Sequence, residues 1–126
     1  MTTLYGLFWG AEKFNQNVSG WNVASVTNMR SAFNHAKAFN QDLSKWAVSS
    51  VTLVRMTFYG AESFNRDISS WSTSKVMNMF SMFKGAKAFN QDISSWDVAE
   101  VEDMAEMLGG ACAFDKEDIK DWAKKP

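Results

Sequence analysis

Three aspartates, Asp42, Asp67 and Asp92, recur at a spacing of 25 residues, and Ser44, Ser69 and Ser94 follow them two places on. If copies of this segment lie on one another, the carboxylates form a column at about the interstrand spacing, and like charges that close repel. Relief can come from solvent, from bonds between the carboxylates and turn amides, or from a cation such as calcium held by successive copies. Turn bonding with solvent is the reading adopted. No dense glycine and aspartate loop of calcium spacing is present, and no metal or other cofactor is expected. Asn17 and Glu117 flank the column. The regular hydroxyls beside it would also suit a repetitive ligand such as a polysaccharide.

Nucleophilic catalysis finds little to work with. A Ser, His and Asp arrangement would have to use His35, the one histidine, which stands in the register of Gly10, Gly60, Gly85 and Gly110. Cys112, the one cysteine, stands where other copies have Glu12, Lys37, Glu62 and Lys87, with no base in sequence reach to activate it. A single cysteine and a single histidine exclude a disulfide framework and an ordinary zinc site. The chain is expected not to be an enzyme.

Binding is the better prospect. Residues that every copy keeps are explained by packing, so specificity belongs where copies differ and face outward. Two registers qualify, holding Tyr5 and Trp9, Arg30 and Asn34, Arg55 and Tyr59, Phe80 and Lys84, then Ala105 and Gly109. The candidate partner-binding residues are Tyr5, Trp9, Arg30, Arg55, Tyr59, Phe80 and Lys84. Tyr, Trp and Arg most often carry binding energy, and Arg over a ring adds about 0.5 to 2 kcal/mol. On a helix the spacing of each pair would set both members on one flank of the buried face. The plainer alternative is that they fill gaps between neighbouring helices.

The elements that must position these side chains follow from the repeat. Phe14, Phe39, Phe64, Phe89 and Phe114 keep a constant interval of 25, as do Trp21, Trp46, Trp71 and Trp96. The shared pattern, clearest from Val76 to Trp96, is Val-x2-Met-x3-Phe-x2-Ala-x2-Phe-Asn-Gln-Asp-Ile-Ser-x-Trp. A unit this short cannot enclose its own apolar side chains and must stack on its copies. Val76, Met79, Phe83 and Ala86 fall on one face of a helix, Asp97 to Glu100 has capping-box spacing, and the glycines before each alanine read as helix stops. Phe89 to Trp96 reads as a turn and a short strand, which repetition would pair in parallel. The expected fold is α/β, a right-handed solenoid of the leucine-rich-repeat type, with short parallel strands on one side and short helices on the other. Helices pack farther apart than strands, so the stack should curve with the strands inside. Its single domain, 1–126, would have coils 1–25, 26–50, 51–75, 76–100 and 101–126, the last a charged cap with one extra residue between Phe114 and Trp122. Asn15, Asn40, Asn65 and Asn90 should form a polar ladder that satisfies backbone groups of the turns and of the next coil.

Composition limits the remaining classes. Leu, Ile, Val and Phe make up 27 of 126 residues, but the net charge is only −1, so the chain should fold, on a core of Phe, Trp and Met. Lys and Arg outnumber Asp and Glu 9 to 4 over residues 1–91, and the balance reverses to 4 against 10 over 92–126. That dispersed basic charge is well short of the concentrated face a nucleic-acid binder needs, and nucleic acid is not an expected partner. No apolar run suits a membrane span or signal peptide, so no membrane insertion by this chain is expected.

The run Phe-Asn-Gln-Asp-Ile-Ser-x-Trp with Val-x2-Met-x3-Phe-x2-Ala resembles the BspA-like leucine-rich repeat surface proteins, including the 25-residue repeat domain of unknown function in mycoplasma lipoproteins. Phe39 to Trp46 and Phe89 to Trp96 match best; Arg66 for Gln and Val54 for Met depart from the pattern. The resemblance implies a module for protein interaction or adhesion at an extracellular or cell-surface location, with a protein or host surface molecule as partner. A glycan-binding module and a structural spacer are the alternatives.

Overall fold

The computed structural model describes residues 1–115 together with Ile119 and Trp122. Its successive 25-residue coils lie on one another, but they are built from turns. Among the described residues there is almost no helix, and strand-type pairing is reduced to one parallel bridge per interface, Thr3 to Asn28 to Leu53 to Asn78 to Asp103. The α/β leucine-rich-repeat solenoid is therefore not the fold. The bridge also lies in the half of the unit read as helix, while Phe89 to Trp96, read as a strand, is irregular chain with a turn.

The physical reason lies in where the amides go. In the second coil, Ala32, Asn34 and Ala36 donate to the carbonyls of Met29, Ser31 and Phe33, each closing a four-residue turn at 3.0–3.3 Å. The amides between them leave the coil. Met29, Ser31, Phe33 and His35 donate to Leu53, Arg55, Thr57 and Tyr59 of the next coil at 2.7–3.0 Å. The same four-toothed comb joins every successive pair of coils. A helix would direct all of these N–H groups along its own axis. Alternation requires the backbone to flip, and it flips where φ is positive: 56° at Ser31 and 60° at His35, each the third residue of its turn. Met56, Ser81 and Glu106 repeat the first flip, and Gly10, Gly60, Gly85 and Gly110 the second. The spacing of three, four and three that suggested a helix is equally the spacing of overlapping turns. The glycines that looked like helix stops serve the comb, and the capping-box aspartate, Asp97, accepts the Ala99 amide at 2.9 Å in an Asx turn. With no helices to splay one side, the expected curvature loses its cause.

Aromatic rings fill the interior in register. Phe39 stacks on Phe64 at 6.1 Å and Phe64 on Phe89 at 6.1 Å, while Phe33, Phe58 and Phe83 form a second column at 5.5 and 5.6 Å. Within a coil the two columns touch, as in Phe58 on Phe64 at 4.2 Å. Each such ring is worth roughly 1.5 to 3 kcal/mol when removed from water. The indoles of Trp46, Trp71 and Trp96 are buried too, and their Nε1 atoms donate to Val18, Leu43 and Ile68 carbonyls at 3.0 Å. Trp21, in the first coil, is 37% exposed. The charged cap lies mostly outside the described residues, including Lys116, Glu117, Asp118, Lys120 and Asp121; Trp122 stacks on Trp96 at 6.4 Å.

Candidate functional site

The Asn column connects coils separately from the comb. The Oδ1 atoms of Asn15, Asn40 and Asn65 each accept the backbone N–H of the next asparagine at 2.9 Å, and Asn90 accepts that of Asp115 at 3.2 Å. Gln41 and Gln91 add side-chain donors to Asn15 and Asn65, and Arg66 in the glutamine register donates its Nε to the Asn40 carbonyl at 3.0 Å. Asn65→Ala removes one acceptor from two donors and is expected to lower stability by about 1–2 kcal/mol, read from urea unfolding. Asn65→Asp, which keeps the oxygen, should recover much of the loss.

The aspartate column is tied down locally. Asp42, Asp67 and Asp92 accept the backbone amides of Ser44, Ser69 and Ser94 at 2.8–2.9 Å, and the Ser94 hydroxyl donates to Asp92 at 2.6 Å. Hydrogen bonds from the serine side chains, then from their amides, hold all three carboxyls below the ordinary value, while Asp42 and Asp92 push Asp67 the other way. A carboxyl lowered by folding stabilises the fold above its unfolded value near 4 and ceases to do so as pH falls through the lower folded value. Melting should therefore hold level from pH 7 to 5 on their account and decline below about pH 4. Asn17 makes the same turn with Ser19 at 2.9 Å. Asp67→Asn, which keeps the turn acceptor and loses the charge, should accordingly lower melting slightly at pH 7 and flatten part of the acid decline. Among the described residues no three His, Cys, Asp or Glu side chains are grouped to hold a metal.

The outward candidates divide into two columns. In the first, the Arg30 guanidinium lies over Tyr5 at 5.6 Å and that of Arg55 over Phe80 at 4.6 Å. Tyr5 is 49% exposed, and Arg30, Arg55 and Phe80 are half-buried. In the second, Trp9 is 53% exposed, Tyr59 and Lys84 are half-buried, and Asn34, in the same register, is buried against Ser31. Without a helix, the members of one column do not share a helical flank with those of the other. Side chains of the second column lean elsewhere: Trp9 sits beside Gly6, Tyr59 meets the His35 ring at 5.3 Å, and Lys84 reaches Glu106 at 2.5 Å.

That second column borders an open cleft of about 390 Å³ along the stack. Its floor includes Gly60, Gly85 and Gly110, its near wall Tyr59 and Lys84, and its far wall Lys37, Glu62 and Lys87. Opposite charges one coil apart pair along the far wall, Lys37 with Glu12 at 3.3 Å and Lys87 with Glu62 at 3.7 Å; such exposed pairs contribute little stability. The His35 ring lies above Gly60, where a Cβ would sit 2.8 Å from its carbon. Sequence reasoning passed over this cleft. Its signal was glycine in four of the five copies at one register beside alternating Glu and Lys two places on. His35→Gly is expected to stabilise by about 0.5–1 kcal/mol in thermal melting, since glycine adopts the required φ freely.

The sequence matches a family described as "Mycoplasma protein of unknown function, DUF285" over residues 1–75 and again over 45–126. The two matches overlap, as copies of one unit would, and together span the chain. No curated relative and no solved structure matches it.

Proposed function

We propose, from the premise that this chain belongs to the DUF285 family of mycoplasma proteins of unknown function, that it is a non-catalytic module for protein–protein interaction or adhesion. The finer likeness to BspA-like surface proteins, and with it an extracellular or cell-surface location, is part of this proposal. The observation that carries it is a contrast within each coil. Inward registers repeat the same rings, while the outward columns vary and hold Tyr5, Trp9, Arg30, Arg55 and Tyr59, of the types that dominate interfaces, with Phe80 and Lys84 beside them. Two large rings that stay half in water, Tyr5 and Trp9, contribute little to folding and remain available to a partner. In the glycan alternative the Asp and Ser column would bind through the carboxylate oxygens that its Asx turns leave free.

The test is retention of beads coated with the chain on cultured host epithelial cells, comparing wild type with Trp9→Ala/Tyr59→Ala. The expected outcome is retention reduced at least fivefold with melting shifted by less than a few degrees. Unchanged retention, or a fall in melting that accounts for the loss, refutes the reading.

A further inference from the structure

Arg30 and Arg55 occupy one register of neighbouring coils that are joined by the backbone comb, so their Cα atoms are about 5 Å apart. Two arginines rooted that close invite a shared counter-charge, and the neighbouring residues of this face offer none. Residues 3–9, 28–34, 53–59 and 78–84 contain no Asp or Glu. The three ion pairs among the described residues use Lys37, Lys84 and Lys87, and neither arginine. Each guanidinium instead covers an aromatic ring on its outer side, Tyr5 above and Phe80 below. Both Nε atoms are sealed from water without an acceptor. Packing thus takes the Nε atoms out of reach, and a ligand would have to be met by the terminal amino groups of the two forks.

We propose that Arg30 and Arg55 form a recognition site for carboxylates of an acidic peptide segment in a partner protein, with Tyr5 and Phe80 as its apolar walls. The site rests on the reading of this face as a partner surface and names the partner's chemistry. Planar guanidinium forks match carboxylate geometry, with two parallel hydrogen bonds per pair. The rings at either end give the methylene stems of glutamate, or an apolar neighbour, a surface to cover. The fold accommodates shorter side chains in this register, since Ala105 occupies it in the fifth coil.

The full chain is titrated by calorimetry with hexaglutamate, with hexaglutamine, and with inorganic phosphate. Saturable hexaglutamate binding is expected, weakened by added salt, with no response to hexaglutamine and at least tenfold weaker binding of phosphate. Arg30→Gln/Arg55→Gln should weaken hexaglutamate at least tenfold. Arg30→Lys/Arg55→Lys, which keeps the charge and loses the fork, should weaken it severalfold at unchanged melting. Absence of saturable binding, equal affinity in the glutamine variant, or phosphate binding as tightly as hexaglutamate overturns the proposal. Trp9→Ala/Tyr59→Ala tests the wider face by cell retention, and hexaglutamate titration of the wild type tests the arginine site by itself. Retention lost in that variant without hexaglutamate binding by the wild type therefore defeats the carboxylate site alone. Hexaglutamate binding with unaltered retention defeats the wider reading alone.

Discussion

Phe58→Ala should cost about 3–5 kcal/mol, the range for removing a fully enclosed ring from a core that cannot collapse around the gap. Phe58 is fully buried and touches Phe33, Phe64, Phe83 and Trp71, so its loss interrupts both the column through the coils and the contact across them. The neighbours are held by backbone bonds at fixed separation, which prevents the coils on either side from closing together. Urea unfolding followed by tryptophan fluorescence gives the value. Phe58→Leu, the residue type found in this register at Leu108, should recover more than half. A loss below 1 kcal/mol in the alanine variant would mean that the rings contribute little to holding the coils.

The second large effect concerns the backbone. Ser81 is buried, has φ of 52°, and donates its N–H to Ala105 in the next coil at 3.0 Å. Ser81→Val should destabilise by about 2–4 kcal/mol, combining left-handed strain at a branched Cβ with overpacking of an enclosed site. Ser81→Gly is expected to be neutral or stabilising, and Ser81→Ala to fall between. A helix predicts a different order, with alanine best and glycine about 1 kcal/mol worse. Melting temperatures of the three variants therefore distinguish the turn comb from the helix that the spacing suggested.

The stacking was legible in the sequence because ring registers recur without drift, and side chains that repeat at a constant interval can be buried only against one another. The elements were not, for a reason visible at Val76, Met79, Phe83 and Ala86. Apolar spacing reports which residues face inward and is silent on whether the intervening amides bond within the segment or leave it. The one clue lay in the flipped positions. Gly10, Gly60, Gly85 and Gly110 are open to positive φ, but Ser31, Met56, Ser81 and Glu106 adopt it with side chains that give no warning. The candidate residues of the outward face were readable from variation alone: the sequence shows that Arg30 and Arg55 share a register. That Tyr5 and Phe80 cover their outer faces, or that the glycines floor a cleft, depends on contacts between coils that no single unit encodes.

The comb also has a direction. At each interface four amides point from the earlier coil to the later one, and two or three, such as Thr27 to Thr2 and Asn40 to the Asn15 side chain, point back. The forward amides outnumber the backward ones, so a small residual peptide moment runs along the axis with the late coils as its positive pole. Asp97, Glu100, Glu102, Asp103 and Glu106 gather toward that pole, while the excess of Lys and Arg lies in residues 1–91. The uneven charge of the chain thus runs in the sense that complements this residual moment, as acidic residues do at the start of a helix.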